Sequence, residues 1–414
     1  MLRHSIIKYF FFCILFPAVL FGQNNVPEQT VEMELFDNSN MPHITGYGNC
    51  QWLWPLDEPN ETLLEQPDYK SDKLIYYAAK YGDADDRIYT IVLDESQGTG
   101  KGYDTVYVDA DNDDRIDPDT EKFSLTMSTT RNDIPLRMKL MVSAGGKKIP
   151  YYFNFTAFPY KDENNPIEKI HANARNSSIF TGQAVLNGKK YKIGIADLNS
   201  NGLFNDVEQG LFKGDRFLVD FNNDGLFQDP LDVRQESFSY GRYTKIAENW
   251  FTIVADPSGT SIEISPASPD IVTMRVPKDV SSIDLHSAIQ SQRLNFSGGT
   301  AEAVTGDYRL AAMKLSMPDS QSQTWTATGS FRENQPDISL KKGEETVLPE
   351  VLPFTVSIEP SGKAPFEEIT LTAKITTSIG GVFRTPRTKQ QPNGGFEVQD
   401  SNGKVVASET FKYG

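Results

Sequence analysis

A mainly β chain of several sandwich-type domains is what this sequence predicts, on three observations. Apolar and polar side chains alternate over short stretches, as in Leu136, Met138, Leu140 and Val142 around Arg137 and Lys139, which is how a half-buried strand reads. Turn signals separate such stretches: "ADPSGT" stands between "WFTIV" and "SIEI", and Asn402-Gly403 stands between "FEVQD" and "KVVAS". No helical periodicity extends beyond two turns.

Taken in order, the chain begins with Arg3 and Lys8 around an apolar run, Tyr9–Phe21, closed by small Gly22. The run is too short for a span of about 20 residues, so residues 1–22 read as a secretory signal peptide. Cys13 lacks the preceding small residues of a lipidation site, and no other stretch reaches spanning length. The expected mature chain is exported to the periplasm, cell surface or exterior and has no transmembrane span. Residues 23–270 read as one or more β-rich domains. Trp52 and Trp54 in "NCQWLWP" suggest a strand with one tryptophan buried and one partly exposed, or an aromatic platform for sugars. The proline-rich stretch Ser265–Asp279 looks like a crossing into a small β domain, 271–345. A second junction, Lys341–Pro353, leads to a final piece, 346–414. There Phe354, Val356 and Ile358 alternate, as do Ile369, Leu371, Ala373 and Ile375, a pattern suited to an immunoglobulin-like sandwich.

Charge narrows the partners. The 414 residues carry 40 Lys and Arg against 56 Asp and Glu, a net charge of −16. Such a surface repels nucleic acid and anionic membranes, offers no basic patch and favours divalent cations. Cys50 is the one cysteine beyond the apolar run, so a chain without its leader has no intrachain disulfide. Rigidity then comes from core burial or bound ions.

One phrase recurs three times: "VYVDADNDDRID" from Val106, "GIADLNSNGLFND" from Gly194 and "FLVDFNNDGLFQD" from Phe217. In each, a short apolar strand ends in an Asp, oxygen-bearing side chains stand two and four residues on, and an apolar residue (Ile116, Phe204 or Phe227) comes seven on. A hard cation such as Ca²⁺ takes six to eight oxygens. Alternate side chains of a curling loop converge on one point, a glycine permits the bend, and the apolar residue pins the loop to the core.

The three loops resemble the calcium loops of EF-hands, dockerins and thrombospondin type 3 repeats, here attached to strands and not helices. In the second loop the resemblance implies side-chain ligands Asp197, Asn199 and Asn201, a bend at Gly202, a carbonyl from Leu203, a water-mediated contact at Asn205 and a bidentate Glu208. In the third it implies Asp220, Asn222 and Asp224, a bend at Gly225 and the Leu226 carbonyl; Leu231 stands twelfth, so Asp229 or Asp232 has to close the shell. In the first it implies Asp109, Asp111, Asp113 and Asp117, with Asp114 in place of the glycine and Thr120 twelfth; Asp119 and Glu121 are the substitutes. More diffusely, residues 70–414 resemble uncharacterised exported bacterial proteins in which strand–DxNxDG units precede small β domains, sometimes joined to a thioredoxin-like domain. The chain has no Cys-x-x-Cys, which excludes a thiol–disulfide role.

His43, His171 and His286 are scattered without partner spacing, arguing against zinc or a His-based triad. Neither Gly-x-Ser-x-Gly nor a phosphate-cradling glycine loop occurs. The expected function is therefore a non-enzymatic, calcium-binding exported scaffold with a structural or binding role, its partners calcium and an extracellular glycan or protein. The alternative is a secreted polysaccharide-acting hydrolase or carbohydrate-binding protein with structural calcium. With 56 acidic residues, no feature selects the carboxylate pair a glycosidase needs.

Overall fold

The computed structural model describes residues 28–36, 50–59, 63–85, 87–99, 102–128, 135–162, 165–207, 214–227, 236–318, 324–331, 335–361, 370–384, 395–399 and 403–410. The expected signal segment lies outside them. The protein is all-β, with several antiparallel sheets and no helix among the described residues. Among the described residues no helix is therefore long and apolar enough to cross a membrane. One short parallel pairing, Met274–Arg275 against Thr346–Val347, interrupts the antiparallel rule.

A first core runs from Val31 to Ile264 and is walled by four sheets. Its centre is the sheet ordered Cys50–Leu53, Asn165–Asn176, Lys147–Asp162 and Leu136–Ala144. Along Lys147–Asp162, Tyr151, Phe153, Phe155 and Ala157 all point inward and are fully buried. Period two thus delivers one face of the strand to the core, and each buried aromatic contributes about 1.5–3 kcal/mol. Beside it lies the sheet Ser237–Ser239, Arg216–Val219, Lys189–Ala196, Ile179–Leu186 and Glu34–Phe36. A third sheet runs Ile75–Lys80, Ile88–Asp94, Thr105–Val108 and Lys122–Ser124, and a fourth runs Gln29–Glu32, Ser261–Ala267, Asn249–Ala255 and Tyr243–Ile246. The hairpin at "ADPSGT" joins Asn249–Ala255 to Ser261–Ala267, as its turn chemistry suggests.

The expectation of one buried tryptophan fails. Residues two apart share a face of a strand, and it is Leu53 between them that points into the core. Trp52 and Trp54 are 45% and 63% exposed on the outer face. Trp54 and Tyr160 flank the buried His171 ring at centroid distances of 4.7 and 4.6 Å, while Trp52 meets Phe158 edge-on at 6.1 Å. Cys50 is half-buried and forms no disulfide among the described residues. His43 lies outside the described residues.

A second core runs from Val272 to Phe383. The boundary expected at 346 is crossed by its main sheet, since Thr328, Gly329 and Ser330 pair with Arg384, Phe383 and Val382. Leu348, Val351 and Phe383 are all buried in this core, with Phe383 packed edge-on to Phe331 and Phe354. The strand Thr355–Ser361 lies at the sheet edge; Phe354 just before it is half-buried, Thr355, Val356 and Ser357 are exposed, and the side chain of Ile358 lies outside the described residues. The two cores are laced together by Gln290, whose amide donates to the Tyr243 carbonyl and accepts the Tyr243 N–H, and by the Arg242 N–H on the Ile289 carbonyl.

Candidate functional site

The three acidic loops leave the ends of Thr105–Val108, Lys189–Ala196 and Arg216–Val219, and all three share one backbone course. Position four is left-handed in each: Asn112, Ser200 and Asn223 have φ of 57°, 59° and 58°. Position six is left-handed too, at Asp114 (64°), Gly202 (82°) and Gly225 (82°). Only short polar residues and glycine adopt this conformation readily, which is why Asp, Asn, Ser and Gly fill these positions. The apolar residue at the eighth position is buried each time: Ile116, Phe204 and Phe227 are 3%, 0% and 4% exposed.

Side-chain acceptors hold the curl. In the second loop Asp197 Oδ2 accepts the Gly202 N–H at 2.7 Å, Asn199 Oδ1 the Asn201 N–H at 3.1 Å, and Asn201 Oδ1 the Leu203 N–H at 2.9 Å. The third loop repeats the pattern: Asp220 to Gly225 at 2.9 Å, Asn222 to Asp224 at 2.9 Å, Asp224 to Leu226 at 2.8 Å. The first keeps the bonds from positions one and five and differs at the Asp113 N–H, which goes to Asp109. Asp109 accepts both the Asp113 and Asp114 N–H groups at 3.1 Å, and Asp113 accepts that of Arg115 at 3.0 Å. Asp117 spends its oxygens on its own turn, on the Asp119 N–H and the Thr120 hydroxyl, both at 2.9 Å. Of the four ligands expected there, Asp109 and Asp111 converge, joined by Glu121, with one oxygen from each within 4.8 Å of the others. Asp113 and Asp117 lie outside that cluster.

Glu208 and Asp229, expected to close the second and third loops, lie outside the described residues, as does Asp232. The described carboxylates reveal a different closure. An acidic residue just before the returning strand reaches back into each loop and accepts the N–H of its second residue. Glu121 takes Ala110 at 2.7 Å, Asp215 takes Leu198 at 3.3 Å, and Glu236 takes Phe221 at 3.0 Å and Asn222 at 3.3 Å. Glu121 and Asp215 each hold a second N–H further along the loop, at Asp117 (2.8 Å) and Asp206 (2.7 Å). All three acids are buried. The signal was present in the sequence: Glu121-Lys-Phe, Asp215-Arg-Phe and Glu236-Ser-Phe each place an acid two residues before a phenylalanine that opens the next strand.

Surroundings differ sharply. The second loop is built into the first core. Gln51 Nε2 donates to the Ser200 carbonyl, Gly82 N–H to the Asn201 carbonyl, Asn176 Nδ2 to the Asp197 carbonyl, and Phe204 N–H to the Pro257 carbonyl. The Tyr151 hydroxyl donates to Asp197 Oδ2 at 2.8 Å. Asn199 and Asn201 amides both donate to Asp206 Oδ2, at 3.0 and 2.6 Å, and Asn205 is half-buried at the rim. Burial pushes the Asp197 and Asp215 carboxyls up, opposed for Asp197 by the Gly202, Tyr151 and Ser200 donors and reinforced for Asp215 by repulsion from Asp197 and Asp206. The first loop is intermediate. It opens on a cavity of about 360 Å³ lined in part by Asp111, Asp113, Arg115 and Glu121. Burial raises Asp109 to about 6 and Glu121 to about 7, against the backbone N–H groups that favour their charged forms. The third loop is the most open, with Asn222, Asn223, Asp224 and Leu226 all exposed.

One atom in that open loop is anomalous. Asp220 is 2% exposed, and its Oδ1 is buried with no hydrogen-bond donor among the described residues. A buried carboxylate oxygen without a partner costs several kcal/mol unless a proton or cation meets it. Against this geometry, no family model, no curated protein and no solved structure matches the chain.

Proposed function

We propose that this chain is an exported β scaffold stiffened by calcium at its three loops, with a structural or binding role and no catalytic one. The observation that carries the reading is Asp220 Oδ1, a buried anionic oxygen lacking a donor inside a loop that also offers Asn222, Asp224 and the Leu226 carbonyl. Every donor atom gathered at the three loops is oxygen, and neither His nor Cys belongs to any of them, so a hard cation fits and zinc does not. Flexible loops mixing carboxylates, amides and carbonyls suit calcium better than magnesium, which demands a tighter octahedron. In the proposed shells, Glu121, Asp215 and Glu236 supply the closing carboxylates.

The test is thermal unfolding of the purified protein in chelator, in calcium and in magnesium, with calorimetric titration to count sites. A cation that binds only the folded chain adds about 2.7 kcal/mol per site at a hundredfold excess over Kd. Calcium is expected to raise Tm well beyond magnesium, and Glu236→Gln to remove one calorimetric site. Superimposable chelator and calcium curves overturn the reading.

A second reading, glycan binding by the same scaffold, is favoured by one observation: Trp52, Trp54 and Tyr160 are all more than two-fifths exposed on one sheet, Trp54 and Tyr160 flanking His171. Aromatic rings of this kind are rarely left open without a partner. Affinity electrophoresis in neutral polysaccharides, comparing the wild type with Trp54→Ala, decides it; equal mobilities in every gel reject it.

A further inference from the structure

The third loop already has a cation beside it. Lys192, on the strand Lys189–Ala196, sends its Nζ to the Gly225 carbonyl at 2.9 Å, on the rim of the loop. The ammonium is held there by aromatic faces, 3.8 Å from the Phe36 centroid and 5.4 Å from that of Phe227. Its backbone is fixed to the same loop, because the Asp220 N–H donates to the Lys192 carbonyl at 3.0 Å. Burial pushes the ammonium down, while Asp220 and Asp224 act to keep it charged. At the second loop no described lysine plays this part; there the Tyr151 hydroxyl and asparagine amides serve the carboxylates.

We infer that Lys192 is the built-in counter-ion of the third loop, and that a divalent cation binds this loop in competition with its charge. The inference rests on the calcium reading above. In the cation-free protein the ammonium offsets the repulsion between Asp220 and Asp224. Once a doubly charged ion sits on those carboxylates, the same ammonium is a like charge at close range. It either stays on Gly225 and weakens the ion, or leaves and loses its carbonyl and ring contacts. Both routes make the coupling antagonistic, and coupling is reciprocal: what lowers calcium affinity also stabilises the empty loop. Lys192 thereby sets the third loop apart as a weaker, exchangeable site in a chain whose second loop is locked into the core.

The experiment uses the full chain labelled with ¹⁵N-glycine, following the Gly225 amide during a CaCl₂ titration. That signal is assigned by its loss in Gly225→Asn. Lys192→Met is expected to reach half-saturation at about fivefold lower calcium than wild type, from a double charge and a single charge interacting across a wet surface. Lys192→Arg, which keeps the charge, is expected to titrate like wild type. Lys192→Gln replaces Lys192→Met if the latter does not fold. Without calcium, the neutral variant is expected to melt below wild type. Equal midpoints for the neutral variant and wild type overturn the inference, as does an arginine variant that tightens as much as the neutral one. If Gly225 stays still in every protein while Gly202 responds, the inference falls and the calcium reading stands. If no glycine responds, the calcium reading itself falls.

Discussion

Gly202 and Gly225 occupy the same loop position with the same φ of 82°, so a substitution at both isolates what each loop is packed against. Placing Ala in the left-handed region costs about 1–2 kcal/mol. Restricting the unfolded chain returns about 0.4–1 kcal/mol. At Gly225 nothing lies within 4 Å of an added Cβ, so Gly225→Ala should lose only this difference, about 0.5–1 kcal/mol. At Gly202 the Cβ meets the Gly82 amide nitrogen at 2.9 Å, Val142 Cγ1 at 3.0 Å and Tyr81 Cβ at 3.2 Å. The Gly82 nitrogen cannot retreat cheaply, because it donates to the carbonyl of Asn201 in the same loop. Overpacking adds about 1–3 kcal/mol, giving about 2–4 kcal/mol in all for Gly202→Ala.

Differential scanning calorimetry in chelator, so that no cation contributes, reads the outcome. For a body of this size about 2–4 °C of Tm corresponds to each kcal/mol, so Gly225→Ala should cost about 1–4 °C and Gly202→Ala at least twice that. Two variants within about 0.5 kcal/mol of one another would refute the packing argument, and with it the claim that the second loop is part of the core.

Other consequences are equally concrete. In chelator, Tm of the first body should rise as pH falls from about 7 toward 5. Asp109 and Glu121 have native values of about 6 and about 7, above the ordinary carboxylate range of about 4, so the native state binds more protons there and loses that stability as pH rises. A Tm that instead drops over that window in chelator contradicts the burial of these groups. Glu121→Gln, whose amide can accept only one of the Ala110 and Asp117 N–H groups, should lower Tm in chelator and shrink the calcium-induced gain, both read in the same scans; an unchanged gain contradicts a closing role for Glu121. Tyr151→Phe removes a donor to a fully buried carboxylate and should cost about 1.5–3 kcal/mol in urea unfolding; a loss below about 0.5 kcal/mol would show that Asp197 is protonated or otherwise served.

Much of the architecture was legible because a strand writes its environment at period two. Met138, Leu140 and Val142 are buried and Lys139 exposed, as the alternation implied. The loop course was legible too, since Asp, Asn and Gly at fixed spacings leave the backbone few alternatives. Closure was not. A spacing rule borrowed from helix-flanked loops looks for the last acid at a fixed offset, but here the closing acid stands just before the returning strand, whose distance along the chain differs in each copy. Glu121, twelve residues after Asp109, fell within reach of that rule and stood among the substitutes at the first loop, whereas Asp215 and Glu236, eighteen and sixteen residues after their opening Asp, did not. Trp52 and Trp54 were misjudged for a simpler reason: a same-face pair is buried or exposed together, and sequence alone does not say which face meets the core.

On the calcium reading, a closing acid beside the returning strand would change what a cation does for this chain. In a self-contained loop the ion orders a dozen residues and little else. Here the opening Asp and the closing acid sit on the two strands of an antiparallel pair, as Val219 N–H on the Glu236 carbonyl illustrates, so filling the loop and pairing the strands become one event. Intervening chain of any moderate length is tolerated, because the entropy of closing it grows only with the logarithm of its length. The strand Arg216–Val219 returns from the second loop and launches the third, so those two closures are mechanically in series. On the calcium reading, a fold with no disulfide among its described residues would thereby acquire cross-links that need no redox chemistry and depend on solution calcium. The buried second loop would hold its ion as part of the core, while the exposed third loop, with Lys192 at its rim, would be the first to let go as calcium falls.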